Sequence, residues 1–246
     1  MSILTYTRYE LTRTFRNRRL VVFSFGFPLV LYVLIAGPNR HEHDLAGSGI
    51  SAPLYFMVAL AAFGTMNSVL GSGGRIAVER TLGWTRQLRI TPLPARRYFQ
   101  VKIVTAYATA LLTILMLYVA GAALGVSLSA GSWLAMTAMI LVGLVPFAAL
   151  GVLIGHLVPA DSVSPVVGGV TALLALFGGV WYPITGGALH VIAQALPSFW
   201  LVQASRVGLG EGGWGVTGWL VVAGWTALAG VAAARAYRRD TERPAA

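Results

Sequence analysis

Long apolar runs alternate with short polar segments along this chain, and most of the polar segments are basic. A helix needs about 20 apolar residues to cross the roughly 30 Å hydrocarbon core of a bilayer. Six runs approach or exceed that length, so the pattern predicts six transmembrane helices with ends placed to within a few residues. The predicted helices run from Leu20 to Ala36, Ile50 to Ser72, Ile103 to Val126, Ser132 to His156, Val163 to Tyr182 and Gly215 to Ala234.

The first run is short, which raises the alternative of a secretory signal peptide. It follows a long basic segment, and no small-residue cleavage site comes after it. A transmembrane helix is therefore the better interpretation. The whole chain, residues 1–246, is predicted to be a single all-α transmembrane domain.

Composition favours a membrane protein over a soluble one. Hydrophobic residues make up 57% of the chain and charged residues only 11%, which leaves too little polar surface for a water-soluble domain. The net charge of +10 could indicate nucleic acid binding. The charge lies in clusters between apolar runs, however, and such clusters are typical of a topology signal. The chain has no cysteine, which excludes disulfides and thiolate metal sites.

The distribution of basic residues predicts the orientation. Sixteen of the 18 Lys and Arg residues fall before the first predicted helix, between the second and third, or after the sixth. Only Arg40 and Arg206 fall on the opposite side. By the positive-inside rule both termini are cytoplasmic. Tryptophans at the predicted outer helix ends, where aromatic rings settle at the interface, are Trp133, Trp181, Trp200, Trp214 and Trp219.

No Asp, Glu, Lys or Arg lies in the middle of a predicted helix. Ion-coupled transporters and channels generally need such groups at depth, so any substrate path here would be mostly apolar. A phosphate-binding loop is also missing, because the only lysine, Lys102, follows Phe-Gln-Val rather than glycine. Energy for uphill transport would therefore come from a separate polypeptide. The neutral polar residues in the helices, whose plainer role is hydrogen bonding between helices, include Asn67, Thr105, Thr109, Thr113, Thr137 and Thr171.

Two glycine pairs have the spacing that lets helix backbones approach closely. They are Gly121 with Gly125 and Gly151 with Gly155. The chain contains 29 glycines, so pairs at this spacing also arise by chance.

Two prolines and one outer loop have a functional and an ordinary interpretation. Pro28 and Pro146 lie within predicted helices, where a missing amide donor permits either a gating hinge or a simple bend. The loop from His41 to Asp44, with sequence HEHD, could bind a transition metal. It lacks the helical spacing of a zinc motif, so a solvated loop is the better interpretation.

The N-terminal segment, residues 1–19, is predicted to form an amphipathic helix on the inner leaflet. Arg8 and its neighbouring arginines would lie near anionic headgroups, while Leu11 and Phe15 would face the acyl chains. A plain basic anchor would explain the charges but not the spacing of the apolar residues.

Residues 73–102 are predicted to form a cytoplasmic loop that contacts another protein. The second helix should continue into the cytosol and turn at Gly83, and a short helix from Trp84 to Ile90 should follow, ended by Pro92 and Pro94. The alternative is a loop lying against the membrane. The apolar residues that favour a protein contact, within a rim of arginines, are Leu82, Trp84, Leu88 and Ile90.

This loop carries a pattern composed of Glu79, Arg80, Gly83, Leu88 and Pro92. The pattern resembles the cytoplasmic loop of ABC-2 type transporter permeases, the membrane subunits of ABC exporters, whose usual form is Glu-Arg-Glu-x-Gly-Thr followed by a leucine and Thr-Pro. A second block, Phe177 to Trp200, resembles the family's stretch after the fifth helix. Two departures are the missing second acidic residue and Trp84 in place of a small polar residue.

The resemblance implies a half-transporter that pairs with a second permease, identical or homologous, and with two ATPase subunits. ATP and Mg would bind the ATPases, and this chain would bind no cofactor or metal. Residues 183–214 would form re-entrant outer helices capping the path. The implied ATPase-coupling residues are Glu79, Arg80, Leu82, Gly83, Trp84, Leu88 and Pro92. The predicted substrate-path residues are Asn67, Thr109, Thr171, Gly179, Tyr182 and Pro183.

The implied function is ATP-driven export of an amphiphilic or hydrophobic compound, such as a drug, an antibiotic or a lipid-like molecule, across the bacterial cytoplasmic membrane. Export of a polysaccharide or glycolipid by the same architecture is the alternative. A secondary transporter is disfavoured because midplane charges and an internal repeat are both missing. A membrane serine hydrolase built on Ser72 is disfavoured because no histidine is placed beside it.

The orientation can be tested with reporter fusions. If the basic clusters are cytoplasmic, fusions after Gly47 and Gly212 should report the outer side, and fusions after Pro94 and Ala160 the inner side. Alkaline phosphatase and green fluorescent protein fusions at the four sites provide the measurement. A reversed signal at any one site would contradict the arrangement of six helices.

Overall fold

The computed structural model describes residues 3–83, 95–210 and 213–242, and within these ranges all regular structure is helical. In chain order the α-helices are α1 (Ile3–Arg16), α2 (Arg18–Val21), α3 (Phe27–Ala36), α4 (Ala52–Thr81), α5 (Ala95–Ala123), α6 (Ala130–Gly143), α7 (Val145–Leu157), α8 (Val163–Phe177), α9 (Gly187–Gln194), α10 (Pro197–Gln203) and α11 (Val216–Glu242). A π-helical turn (Val22–Gly26) joins α2 to α3, and short 3-10 turns cover Leu45–Gly47 and Ala204–Leu209.

All six predicted runs contain helices, which confirms an all-α membrane protein. Within the described ranges, four helical stretches are long and apolar enough to cross a bilayer: Ala52–Thr81, Gln100–Ala123, Ala130–Leu157 and Val216–Asp240. Two shorter apolar helices occupy Ser24–Ala36 and Val163–Phe177. The protein therefore has a multi-pass membrane fold, and six crossings remain a prediction.

Several predicted helix ends differ from the structure. Helix α4 continues past the predicted end at Ser72, and Gly83 follows it with a left-handed φ of 69°, as the sequence predicted. Helix α8 ends at Phe177 instead of the predicted Tyr182. Gly179 adopts a φ of 77°, a conformation that terminates a helix and that glycine adopts without strain.

Helix α4 is the centre of the fold. In its apolar window 83% of the residues are buried inside the protein, against 22% for α11. It packs against α3, α5, α7, α8 and α10, whereas α11 packs mainly on α7. Large apolar side chains on the outer helices stay exposed, as expected of surfaces that face lipid, and they include Val119, Leu134, Val216, Leu220 and Leu228.

Pro28 and Pro146 both lie at helix breaks. Pro28 is the second residue of α3, just after the π-helical turn, and it has no amide to donate to the carbonyl of Ser24. Thr113 of α5 supplies that donor, with its hydroxyl 3.3 Å from the Ser24 oxygen. Pro146 follows a break at Leu144, where α6 ends and α7 begins. Neighbouring groups therefore satisfy a backbone that proline interrupts.

One of the two glycine pairs forms a close contact between helices. Gly151 and Gly155 of α7 lie against Gly73 of α4, and a Cβ at Gly73 would overlap the Gly151 backbone. The other pair has a different role. Gly121 leaves room for the Met57 side chain, whereas Gly125 has a φ of 93° and ends α5.

The predicted interface role of two tryptophans is wrong. Trp200 and Trp214 are 8% and 5% exposed and pack together with Phe199 in a second apolar cluster. The indole of Trp200 donates to the carbonyl of Gln194, 2.9 Å away. Gly218 of α11 lies against the Trp200 ring and Gly143 of α6 lies against the Trp214 ring, so both rings are buried in the protein. Trp219 is half-exposed, as an interface residue should be.

The glycine contact predicts a specific loss of stability. Replacing Gly73 with Leu should force α4 and α7 apart and cost at least about 1–3 kcal/mol of unfolding free energy. Thermal unfolding in detergent is the measurement. Gly224→Leu on α11 is the matched control, because a Cβ there meets nothing within 4 Å. Equal melting temperatures for the two variants would contradict this packing.

Candidate functional site

A groove of about 910 Å³ runs between α1, the turn before α3, α4 and α8. Its volume lies near the top of the range usual for ligand sites, about 300–1,000 Å³. Helix α4 forms its floor from Phe63 to Val78. Gly71 and Gly168 line it with open space in front of them, because a Cβ at either position would meet no atom within 4 Å. The groove is therefore large enough to hold a drug-sized ligand.

The lining of the groove changes from basic to apolar along its length. Arg13, Arg16 and Arg75 lie at the end nearest the predicted cytoplasmic side. Phe63 and Phe27 lie at the other end, with their ring centroids 6.0 Å apart. Arg75 follows Phe63 by 12 positions, which corresponds to about 18 Å along the helix. The groove thus offers charge at one end and apolar surface at the other.

The structure brings two of the six predicted path residues into the groove. Asn67 of α4 and Thr171 of α8 both line it. Thr109 does not line it. Its hydroxyl is buried between α4 and α5 and lies 2.6 Å from the hydroxyl of Ser68. The plainer interpretation, a hydrogen bond between helices, is the correct one for Thr109.

The other three predicted path residues lie near the opposite end of the protein. Gly179 and Pro183 line a much smaller pocket of about 20 Å³, and the hydroxyl of Tyr55 donates to the Gly179 carbonyl. Tyr182 is 64% exposed. These residues do not join Asn67 in one cavity.

Glu79 is the centre of a buried group of charged residues, here called the Glu79 network, that consists of Glu10, Arg13, Glu79, Tyr98 and Lys102. The amine of Lys102 lies 2.5 Å from Glu79 and 2.6 Å from Glu10. Arg13 donates to Glu79 at 3.0 Å, and the Tyr98 hydroxyl also donates to it. Each buried carboxylate is paired with the Lys102 amine, and this pairing offsets the free-energy cost of removing the charges from water. The network joins α1 to the ends of α4 and α5 on either side of residues 84–94.

Arg80, the next residue, points to the other side of α4 and forms the Arg80 network with His156 and Asp240. Its guanidinium binds Asp240 through two nitrogens, each at 2.6 Å, in the bidentate geometry that arginine and carboxylate favour. It also donates to the carbonyl of His156 at 2.8 Å. The His156 Nδ1 atom lies 3.0 Å from Asp240. This network joins α4 and α7 to the end of α11.

The predicted coupling residues divide into three groups. The side chains of Glu79 and Arg80 turn inward to the two networks, so they act on neighbouring helices of this chain. Leu82 is 69% exposed and available to a partner. Gly83, beside Leu82, forms the turn after α4 with a φ of 69°, and the other three predicted residues, Trp84, Leu88 and Pro92, lie outside the described residues.

The amphipathic N-terminal helix is present as α1, but its buried face is polar. Glu10 and Thr14 are almost fully buried, while Arg8 is exposed. Leu11 is half-buried, and Phe15 is 41% exposed and stacks on the Phe25 ring at 6.1 Å. Helix α1 therefore binds the protein through its polar side and leaves apolar groups free for lipid.

Sequence reasoning missed Glu10, Lys102 and Asp240 as members of the charge networks. One signal was available, because the only lysine of the chain stands at the start of an apolar run, where an unpaired charge would be costly. The partners could not be found from the sequence, since Lys102 and Glu10 are separated by 92 residues and Arg80 and Asp240 by 160.

The outer loop that contains the HEHD sequence is held by its own contacts. Asp44 accepts a hydrogen bond from the Gly49 amide at 2.7 Å. The Nε atom of Arg40 lies 3.0 Å from Nε2 of His41. Within the described ranges, no group of three or more His, Asp or Glu side chains could hold a metal ion.

The helical fold and the groove define a multi-pass membrane protein with a ligand-sized cavity beside its central helix. The sequence profile of the family described as ABC-2 type transporter matches residues 1–209. The chain therefore belongs to the ABC-2 type transporter family, and it is a transport permease rather than an enzyme. A related protein of Bacillus subtilis (strain 168), described as "Putative transport permease YvfS", is 29% identical over 195 residues, which is 77% of this chain and 78% of that protein.

The Glu79 network predicts a strong effect of removing Lys102. In Lys102→Met, two buried carboxylates would lose their shared cation, which should cost on the order of 3–5 kcal/mol of unfolding free energy. Adding Glu10→Gln should recover part of the loss. Thermal unfolding in detergent is the measurement, and Arg235→Met, which removes an exposed charge, is the control. A Lys102→Met variant as stable as the control would refute the pairing.

Proposed function

We propose that this permease is the membrane subunit of an ATP-driven exporter that moves an amphiphilic compound across the bacterial cytoplasmic membrane. The observation that carries the proposal is the groove of about 910 Å³, basic at one end and apolar at the other. A compound with a polar head and an apolar body matches such a lining better than a fully polar or a fully apolar one. Family membership supports the pairing with a separate ATPase.

The proposed assembly contains two ATPase subunits and a second permease, identical or homologous. Residues 84–94 would dock in the ATPase, with Trp84 and Leu88 as apolar anchors and Leu82 exposed beside them. Both termini would be cytoplasmic, and residues 183–214 would cap the path on the outer side.

The two charge networks would transmit movement from the docked residues 84–94 to the helices of the membrane domain. A movement of residues 84–94 would pull on the end of α4 before them and the start of α5 after them. Glu79 would pass the movement to α1, and Arg80 would pass it to α7 and α11. Since α1 and α4 form two walls of the groove, ATP binding could widen or close it.

The proposal predicts transport that depends on ATP and on Trp84. Vesicles that contain the permease and its ATPase should move a fluorescent amphiphile only with hydrolysable ATP, and collapse of ion gradients should leave the flux unchanged. Trp84→Asp should remove both the flux and the co-purification of the ATPase, because it places a charge in an apolar contact.

The control is Ala160→Asp, which adds the same carboxylate to the other predicted cytoplasmic loop and should leave both quantities near the wild-type level. Flux that continues without ATP and stops with an ionophore would reject the proposal in favour of a secondary transporter. Normal ATPase co-purification with Trp84→Asp would support the membrane-lying loop instead.

A further inference from the structure

We infer that the groove selects amphiphiles with an anionic head, and that these are the substrate class of the permease. The inference rests on the proposed function and specifies the ligand of the same site. The head would bind at Arg16 and Arg75, and the tail would extend toward Phe63.

Arg75 has unused capacity to bind an anion. It is half-buried in the wall of the groove, and one of its nitrogens donates to the Thr14 hydroxyl at 2.9 Å. None of the ion pairs among the described residues includes Arg75 or Arg16. A guanidinium has five N–H donors, and phosphate or carboxylate oxygens match their geometry. An acidic head between these two side chains would be bound by charge-assisted hydrogen bonds.

The charge balance at this end of the groove also favours an anion. Arg13, Arg16, Arg75 and Lys102 carry four positive charges against the two carboxylates of Glu10 and Glu79, which leaves an excess of two. Both carboxylates are buried and paired in the Glu79 network, and no acidic residue is among the described residues that line the groove. A cationic ligand would face Arg16 and Arg75, neither of which belongs to an ion pair among the described residues, and no carboxylate of the lining would offset the repulsion.

Beyond the arginines the groove fits an apolar tail. Val163 and Val167 of α8 line it where they pack against Gly74 of α4, and Phe27 and Phe63 line the far end. The remaining polar groups there are neutral, and one of them, the buried hydroxyl of Ser24, has no hydrogen-bond partner among the described residues. The distance of about 18 Å from Arg75 to Phe63 is close to the thickness of one leaflet, about 15 Å. A molecule lying in the cytoplasmic leaflet could therefore enter with its head at the arginines and its tail at the phenylalanines.

Binding to the purified permease, without the ATPase, tests the head-group preference. The probes are a fluorescent lysophosphatidic acid and a monoacylglycerol with the same acyl chain and fluorophore, both in non-ionic detergent. The anionic probe should bind at least about tenfold more tightly. Inorganic phosphate should compete only weakly, because it lacks the tail. Equal binding of the two lipids, or binding of neither, would overturn the inference.

Pairs of variants, one inside the groove and one outside it, test whether the probe binds in the groove. Arg16→Gln with Arg75→Gln should remove the preference for the anionic probe, whereas Arg18→Gln, an exposed arginine outside the groove, should keep it. Gly71→Leu should weaken the binding of both lipids because its side chain fills part of the groove, and Gly224→Leu should leave their binding unchanged. Gly168→Leu repeats the test from α8 if the first groove variant unfolds. An equal loss in Arg18→Gln would overturn the inference, since it would indicate attraction by surface charge alone.

A transport assay distinguishes a substrate from a lipid that stays bound in the groove. In vesicles with the ATPase and ATP, the anionic probe should move faster than the neutral probe, and Gly71→Leu should stop both. Selective binding without movement of the anionic probe, while the neutral probe moves, would identify a resident lipid and overturn the substrate assignment. The absence of ATP-driven movement for both probes would instead reject the proposed function and leave the binding result standing.

Discussion

Glu79 and Arg80 pair with residues on different sides of α4, and the rest of the structure depends on this constraint. Neighbouring residues on a helix point about 100° apart, so one carboxylate reaches α1 and α5 while the adjacent guanidinium reaches α7 and α11. An uncompensated charge at either position would be costly in this largely apolar chain. Four helices must therefore meet near the last turn of α4, which fixes where α4 ends and α5 begins.

Helix α4 can pack against all these helices because its small and large side chains lie on different faces. Glycine at Gly73 lets α7 approach until the backbones touch, and Gly64 makes room for Pro28 at the break before α3. On the remaining side Gly71 meets nothing, so the same helix that is most deeply packed also forms the floor of the groove. A glycine of α4 thus allows a close contact where another helix lies opposite it, as at Gly73, and leaves open space where none does, as at Gly71.

The sequence predicted what depends on composition and local turn chemistry. Apolar runs marked the helices, and Gly83 marked the end of α4, because a left-handed turn favours glycine. It failed where an answer depends on distant residues. Thr109 bonds Ser68 instead of lining the groove, and Trp200 is buried with Phe199 and Trp214 instead of lying at the lipid surface. An isolated polar or aromatic residue looks the same in a sequence whether a ligand, a lipid or another helix lies beside it.

The distance along the chain between Arg80 and Asp240 has a consequence for how the protein is made. Synthesis adds about 5–20 residues per second, so the 160 residues between them delay the bidentate pair by roughly 8–30 s. Lys102 follows Glu79 by only 23 residues, and this pair can form while most of the chain is still absent. During the interval α4 and α5 can already be joined through Glu79 and Lys102. Helix α11, which carries Asp240, is thus inserted long after the helix whose arginine it neutralises, and a failure to insert α11 would leave Arg80 without its carboxylate partner at the end of α4.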